Sequence, residues 1–268
     1  MSIRLEFGTD GLDTITANAG EMLIAFGLGG DDTLTGAELS DLLSGGDGDD
    51  TLAGNAGDDL LDGGDGKDDI NTGAGNDLVF AGDGDDSVGG MAGSDIVFGG
   101  AGNDVIAWND PTGDRVFGDE GNDILRGGDV AADTIFGGDG DDLIRAVANQ
   151  ELAEHAADNL FGDKGNDTVF GGNADDTIEG GEGDDFLAGF GGADTFVFRA
   201  DAPGSDTITD FDSSRDVVRL AGFADNFDPL ANLSQESSGT VLDLGAAGQV
   251  LFLGRLVNEF EADDFVLV

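Results

Sequence analysis

The stretch GGDGDDTLAGNAGDDLLDGGDGKDDI, Gly45–Ile70, states nearly the same nine letters three times. Each pass reads Gly, Gly, any residue, Gly, any residue, Asp, and then a short apolar segment. Glycines raise the entropic cost of folding and crowded carboxylates repel one another, so an ordinary globular core has no use for this order. Working outward, the aspartate before each apolar segment recurs at Asp13, Asp32, Asp41, Asp50, Asp59, Asp68, Asp77, Asp86, Asp95 and Asp104. It continues at Asp114, Asp123, Asp133, Asp142, Asp158, Asp167, Asp176, Asp185 and Asp194, mostly in steps of nine, with one register at Met22 lacking it. Two residues after each stands an apolar residue, from Ile15, Ile24 and Leu34 through Leu52 and Leu61 to Phe196.

The glycines mark turns that need positive φ or leave no room for a Cβ. The residues after the aspartate, such as Thr51-Leu52-Ala53, read as a short strand whose middle residue faces inward. One such unit cannot bury its apolar face, so successive units must stack. A second period sets two units per coil. Phe80, Phe98, Phe117, Phe136 and Phe161 close alternate units, 18 residues apart once insertions near Trp108, within Gly127–Phe136 and within Ala146–Phe161 are allowed for. The expected fold is all-β: a right-handed parallel β-roll of about ten coils, roughly 50 Å long at 4.8 Å per coil.

Composition restricts the partners. The 268 residues hold 58 acidic and 10 basic side chains, a formal charge of −48, yet 39% of residues are hydrophobic. Nucleic acid requires basic patches that are absent, and an anionic membrane surface would repel the chain. No run of about 18 apolar residues predicts membrane insertion. Without cysteine there are no disulfides or thiolate metal sites. Such a chain is expected to be disordered until a cation compensates it. Stacked turns would present columns of carboxylates and carbonyls. Ca²⁺ takes six to eight such oxygens, whereas Mg²⁺ prefers a tight, water-rich octahedron.

At these residues the chain resembles the repeats-in-toxin (RTX) family, whose repeat is GGxGxDxUx. Full GGxGxD matches begin at Gly45, Gly63, Gly99, Gly137 and Gly180, and the likeness runs from Gly8 to Arg199. It is weakest at Ala17–Ala25, at Asn109–Asp114 and in the long insertion. The resemblance implies several Ca²⁺ ions held between coils by turn carbonyls and sixth-position aspartates. The expected metal ligands are Asp32, Asp41, Asp50, Asp59, Asp68, Asp77, Asp86, Asp95, Asp104, Asp123, Asp133, Asp142, Asp167, Asp176, Asp185 and Asp194.

Residues 1–198 are therefore read as the roll and 199–268 as a C-terminal β cap. Asp206–Leu220 reads as two strands around an acidic turn, and Thr240–Gly254 as a hairpin. The acidic-then-apolar end NEFEADDFVLV resembles the uncleaved C-terminal signal of RTX proteins exported by type I secretion machinery. The start, MSIRLEFGTDGLDT, has no apolar h-region of a secretory signal. These readings place the protein outside the cell or at its surface.

Catalytic motifs are missing. Neither HExxH nor GxSxG occurs, and the single histidine, His155, is expected on the surface of the insertion. The expectation is a secreted, non-enzymatic, calcium-binding structural, adhesive or matrix element. One alternative is a subunit of a calcium-dependent surface layer or filament; another is a secreted toxin or bacteriocin. If the ninth repeat position faces outward, Phe80, Phe98, Phe117, Phe136 and Phe161 line one exterior face. That ladder either stabilises the sheet by neighbour pairing or serves self-association. Trp108, at an insertion, is assigned to the same candidate interaction surface.

Overall fold

The computed structural model describes residues 2–90, 92–108, 111–128, 130–146 and 156–268. In a representative unit the turn ends at Asp50 and the strand Thr51–Ala56 follows. Leu52 and Gly54 point inward, while Thr51 and Ala53 point outward. Leu52 pairs in parallel with Leu34 on one side and Ile70 on the other, each 18 residues away. Two units therefore complete one coil, as the phenylalanine period predicts.

Successive strands pass alternately to two sheets. Among the described residues sheet 1 has thirteen strands, from Ser2–Phe7 to Phe265–Leu267, and sheet 2 has fourteen, from Thr14–Thr16 to Leu233–Gln235. The core is a pair of facing ladders. Leu43, Leu61, Val79, Val97, Val116 and Ile135 come from sheet 1; Leu34, Leu52, Ile70, Val88, Ile106 and Leu125 come from sheet 2, all buried. Because neighbouring rungs lie one strand spacing apart, each apolar side chain is enclosed only once the coils above and below have formed. Among the described residues helix is limited to three 3-10 turns, and none is long and apolar enough to cross a membrane.

The structure departs from the sequence reading in two places. In the strand Glu21–Gly29, Leu23 and Ala25 face the core and Ile24 faces outward. Ala25 pairs with Leu43, so this strand is shifted by one residue from the nine-residue count. The cause lies in the unit Ala17–Ala25, which has no aspartate to fix the register. The sheets also run past the last repeat. Gly204–Ile208 pairs in parallel with Phe186–Ala188, and Val217–Ala221 with Thr195–Arg199. The two strands expected within Asp206–Leu220 thus exist, but in opposite sheets. The expected hairpin is Gly239–Gly245 against Gly248–Leu253, antiparallel. At this end Phe211 packs on Phe252 and Phe260, with centroids 5.1 and 5.7 Å away, and the cluster closes the core.

Leu61 is fully buried whereas its neighbour Leu60 is half-buried and faces outward. Leu61→Ala should cost about 2–5 kcal/mol in a urea unfolding experiment at saturating calcium, and Leu60→Ala much less.

Candidate metal centre

The sixth-position aspartates form two interior columns, one at each turn of the flattened roll. The first holds Asp32, Asp50, Asp68, Asp86, Asp104, Asp123, Asp142, Asp167 and Asp185. The second holds Asp41, Asp59, Asp77, Asp95, Asp133, Asp176 and Asp194, with Asp114 and Asp158 between them. Every one is buried. Within a column each backbone N–H donates to Oδ1 of the aspartate one coil later, at 2.6–2.9 Å in the first column. The corresponding distances in the second column are 2.7–2.9 Å. The ladder crosses the long insertion unbroken, from Asp133 to Asp158 (2.7 Å) and from Asp142 to Asp167 (2.8 Å).

The second carboxylate oxygen has a different fate. Oδ2 of Asp32, Asp50, Asp59, Asp68, Asp77, Asp86, Asp104, Asp123, Asp142, Asp167 and Asp185 is buried with no hydrogen-bond partner. Leaving a buried acceptor unsatisfied costs about 1–3 kcal/mol, more when it is charged. In nine of these units the oxygen turns back onto the first glycine, while the units of Asp77 and Asp86 open with Thr72 and Ala81 instead. A Cβ at Gly45 would lie closer than 3.0 Å to both Asp50 Oδ2 and the Gly63 carbonyl of the next coil. The same cradle recurs at Gly63, Gly118, Gly137 and Gly162. Two converging oxygens with no donor between them suit a hard cation. Among the described residues no three acidic or histidine side chains converge as a metal cluster, so carbonyls must complete the ligand set. These residues fit Ca²⁺.

Burial sets the electrostatics. Desolvation raises Asp59, Asp68, Asp104, Asp142 and Asp194 to about 7, and Asp158 and Asp167 to about 8. The backbone N–H received from the preceding coil opposes the rise, and neighbouring carboxylates add to it. Adjacent residues can diverge: Asp86 is raised by burial, whereas exposed Asp85 is lowered by bonds from Asn103. Asp85 belongs to an outer ladder running the other way, in which the Asn103 N–H donates to Asp85 Oδ1 (2.8 Å). The fifth position is therefore solvated, and the sixth is where charge compensation is needed.

The sixteen expected aspartates all lie in the two columns. Asp114 and Asp158 belong there too, although insertions disturb the glycines before them. The columns also extend to Asp206, which accepts from the Asp185 N–H (3.1 Å), and to Asp216, which accepts from Asp194 (3.0 Å). Their signal was the surviving Asp-x-apolar triplet, Asp206-Thr207-Ile208 and Asp216-Val217-Val218, without the glycines. Asp114, Asp133 and Asp158 share the second column, so the three insertions enter one edge of the roll. Residues 109–110, 129 and 147–155, including His155, lie outside the described residues.

Phe80, Phe98, Phe117, Phe136 and Phe161 face outward from sheet 1, with ring centroids 4.7–5.2 Å apart and planes within 1–9°. Within the stack each ring face is covered by its neighbour. Trp108 is not part of this surface, contrary to expectation: it is 8% exposed. In the strand Val105–Trp108 the alternation turns Ile106 and Trp108 inward. Trp108 takes the place of a first glycine and lines a small interior void with Thr72, Val88 and Gly90.

Residues 44–79, 72–106, 109–144, 156–187 and 170–202 match the RTX calcium-binding nonapeptide repeat. None of the curated proteins matches the chain. Among solved structures, the extracellular lipase LipA from Serratia marcescens is similar at 22% identity and a TM-score of 0.43, over 80% of this chain and 40% of the lipase. A subunit of the Azotobacter vinelandii mannuronan C5-epimerase is similar at 24% identity and a TM-score of 0.21, over 52% of this chain and 79% of that subunit. The chain thus spans two fifths of the lipase's length.

Because burial raises the folded aspartates above their unfolded value of 3.8, protons stabilise the metal-free roll. That stabilisation is complete below about pH 4 and is lost as pH rises through 7 to 8. In excess chelator, far-UV circular dichroism should show β structure growing as pH falls from 8.5 towards 5. Calcium added to the folded roll near pH 7 should release protons, measurable in weakly buffered solution.

Proposed function

From the RTX calcium-binding nonapeptide-repeat family, to which this chain belongs, we propose a secreted, non-enzymatic protein that folds when exported into millimolar calcium. It binds several Ca²⁺ ions and acts outside the cell as a structural, adhesive or matrix element. The ladder of buried, unpartnered Oδ2 atoms facing the first glycines carries this reading. In the proposed assignment all sixteen expected aspartates, with Asp114 and Asp158, contribute carboxylate oxygens, and turn carbonyls supply the rest. Sites of the extracellular class bind at about 10⁻⁴–10⁻³ M, and at ten times Kd each adds about 1.4 kcal/mol. Summed over many coils, this decides whether a marginally stable domain folds.

Residues 1–198 form the calcium-binding unit in this proposal, and 199–268 the cap that carries the signal for type I export. The C-terminal order of strands followed by acidic and apolar residues supports that division. The absence of HExxH and GxSxG motifs supports a non-catalytic role. A second reading, a subunit of a calcium-dependent assembly, is favoured by the apolar outer surface of sheet 1.

Calcium titration tests the first reading, followed by circular dichroism and by emission from Trp108, the one tryptophan. A coil-to-β transition with a blue shift as Trp108 becomes buried is expected; no transition would overturn the proposal. Asp68→Asn should raise the calcium midpoint and cost up to about 3 kcal/mol if two weak sites are lost. Asp65→Asn, at an exposed third position, should leave the midpoint unchanged.

A further inference from the structure

The two aspartate columns are satisfied differently. In the first, all nine aspartates from Asp32 to Asp185 bury an Oδ2 that has no hydrogen-bond partner. In the second, Oδ2 of Asp41, Asp133 and Asp176 accepts from the backbone N–H of Ala37, Gly128 and Gly172, at 2.6–2.9 Å. Each donor is the second residue of the turn that its own aspartate closes. Asp59 and Asp77, also in the second column, keep the bare Oδ2 of the first.

Backbone conformation goes with this difference. In all nine first-column turns the second residue is left-handed, with φ of 73–121°. Even Leu28 is held there, at 82°, although a bulky L-residue avoids that region. The two exceptions in the second column behave alike, with φ of 72° at Asn55 and 100° at Gly73. A left-handed second residue thus accompanies a bare Oδ2, and an N–H turned onto the carboxylate accompanies a satisfied one. Every first-column turn is also six residues long from its first position to its aspartate, whereas the three insertions all enter the second column.

We propose that the two edges of the roll take calcium in order. The first column, with the turns of Asp59 and Asp77, forms a tight class that loads as the chain folds. The turns closed on Asp41, Asp133 and Asp176 form a weak class that loads afterwards. This order rests on the calcium-folding reading above and deepens it. In a closed turn the carboxylate is satisfied on both sides, because Oδ1 accepts from the neighbouring coil and Oδ2 from the turn itself. Offering Oδ2 to a cation means giving up that N–H. A hydrogen bond to a charged group is worth more than the 1.4 kcal/mol that separates two affinities by tenfold. The weak class should therefore need at least ten times more calcium. The first column is the part of the roll that senses calcium, and three turns of the second can close without it.

The test is a calcium titration of the full chain, followed by circular dichroism, by equilibrium dialysis and by the backbone amide NMR signals of Gly64, Gly128 and Gly172. The Gly64 signal should reach its final position with the coil-to-β transition. Those of Gly128 and Gly172 should stay hydrogen-bonded through that transition and up to at least ten times its calcium midpoint. Ala37→Gly combined with Leu39→Gly gives the turn before Asp41 the glycine spacing of Gly45–Asp50. That variant should load with the tight class and take up more calcium per chain across the folding transition. Gly128 and Gly172 responding together with Gly64, or a double variant with unchanged uptake, would overturn the order while leaving calcium-driven folding intact. A chain that takes up no calcium would overturn both, and the dialysis distinguishes that case.

Discussion

Each interior aspartate is asked to join two coils with one carboxylate. Oδ1 is satisfied inside the protein by the N–H of the preceding coil, as in the 2.8 Å bond from Asp50 to Asp68. In eleven of these aspartates Oδ2 is buried with no hydrogen-bond partner, whereas Oδ2 of Asp41, Asp133 and Asp176 accepts from the N–H of Ala37, Gly128 and Gly172. An ionised group left half-satisfied and out of water is strongly destabilising. The stack therefore depends on a cation or on protons. The protein has made its own folding conditional on the solution outside it, because the group that holds the coils together is also the group that opposes their closure.

Glycine follows from the same constraint. At Gly45 the first position has to be bare because Asp50 Oδ2 and the Gly63 carbonyl occupy the space of a side chain. At Gly48, φ is +131°, a backbone conformation that L-residues avoid. The second position is less strict: Asn55, Asp119 and Asp163 adopt φ of 72–73° there, within the left-handed region that Asn and Asp tolerate. So the glycines of one repeat answer different demands. A substitution at the first glycine drives a Cβ against the carboxylate and carbonyl oxygens, whereas at the second it changes mainly backbone strain and the chemistry of the outer face.

Legibility followed the strength of this coupling. Where glycines and aspartate recur together, register, strand and inward residue could be read from letters alone, as for Leu52 and Leu61. Where the aspartate is missing, nothing pins the register, and Leu23 and Ala25 displace Ile24 from the core. Where the glycines are missing, the strand persists but the period does not, which hid Asp206 and Asp216 among spacings of 21 and 22 residues. Trp108 misled for another reason. Its place beside an insertion suggested the surface, but two-residue alternation from Ile106 turns it inward, and Gly90 one coil earlier leaves the first position of that unit open. The counting of repeats and the alternation of strands disagreed there, and alternation decided the outcome because it is imposed residue by residue by the pleat.

The outer surface obeys no such coupling, and this makes its pattern informative. Inside, every rung must be apolar and every sixth residue acidic for the coil to close. Outside, the seventh and ninth positions are free to vary, and sheet 2 carries Thr14, Thr33, Thr51 and Ser87 there in its first half but Val105, Ile124, Leu143 and Phe186 in its second. Sheet 1 keeps large apolar residues there and aligns five phenylalanines in register. Stacking the rings does hide their faces, but it leaves their edges in solvent, so the stack alone does not account for Ile3, Leu5 and Ile96 being exposed on the same face. Stability of the single roll asks for none of these exposed positions.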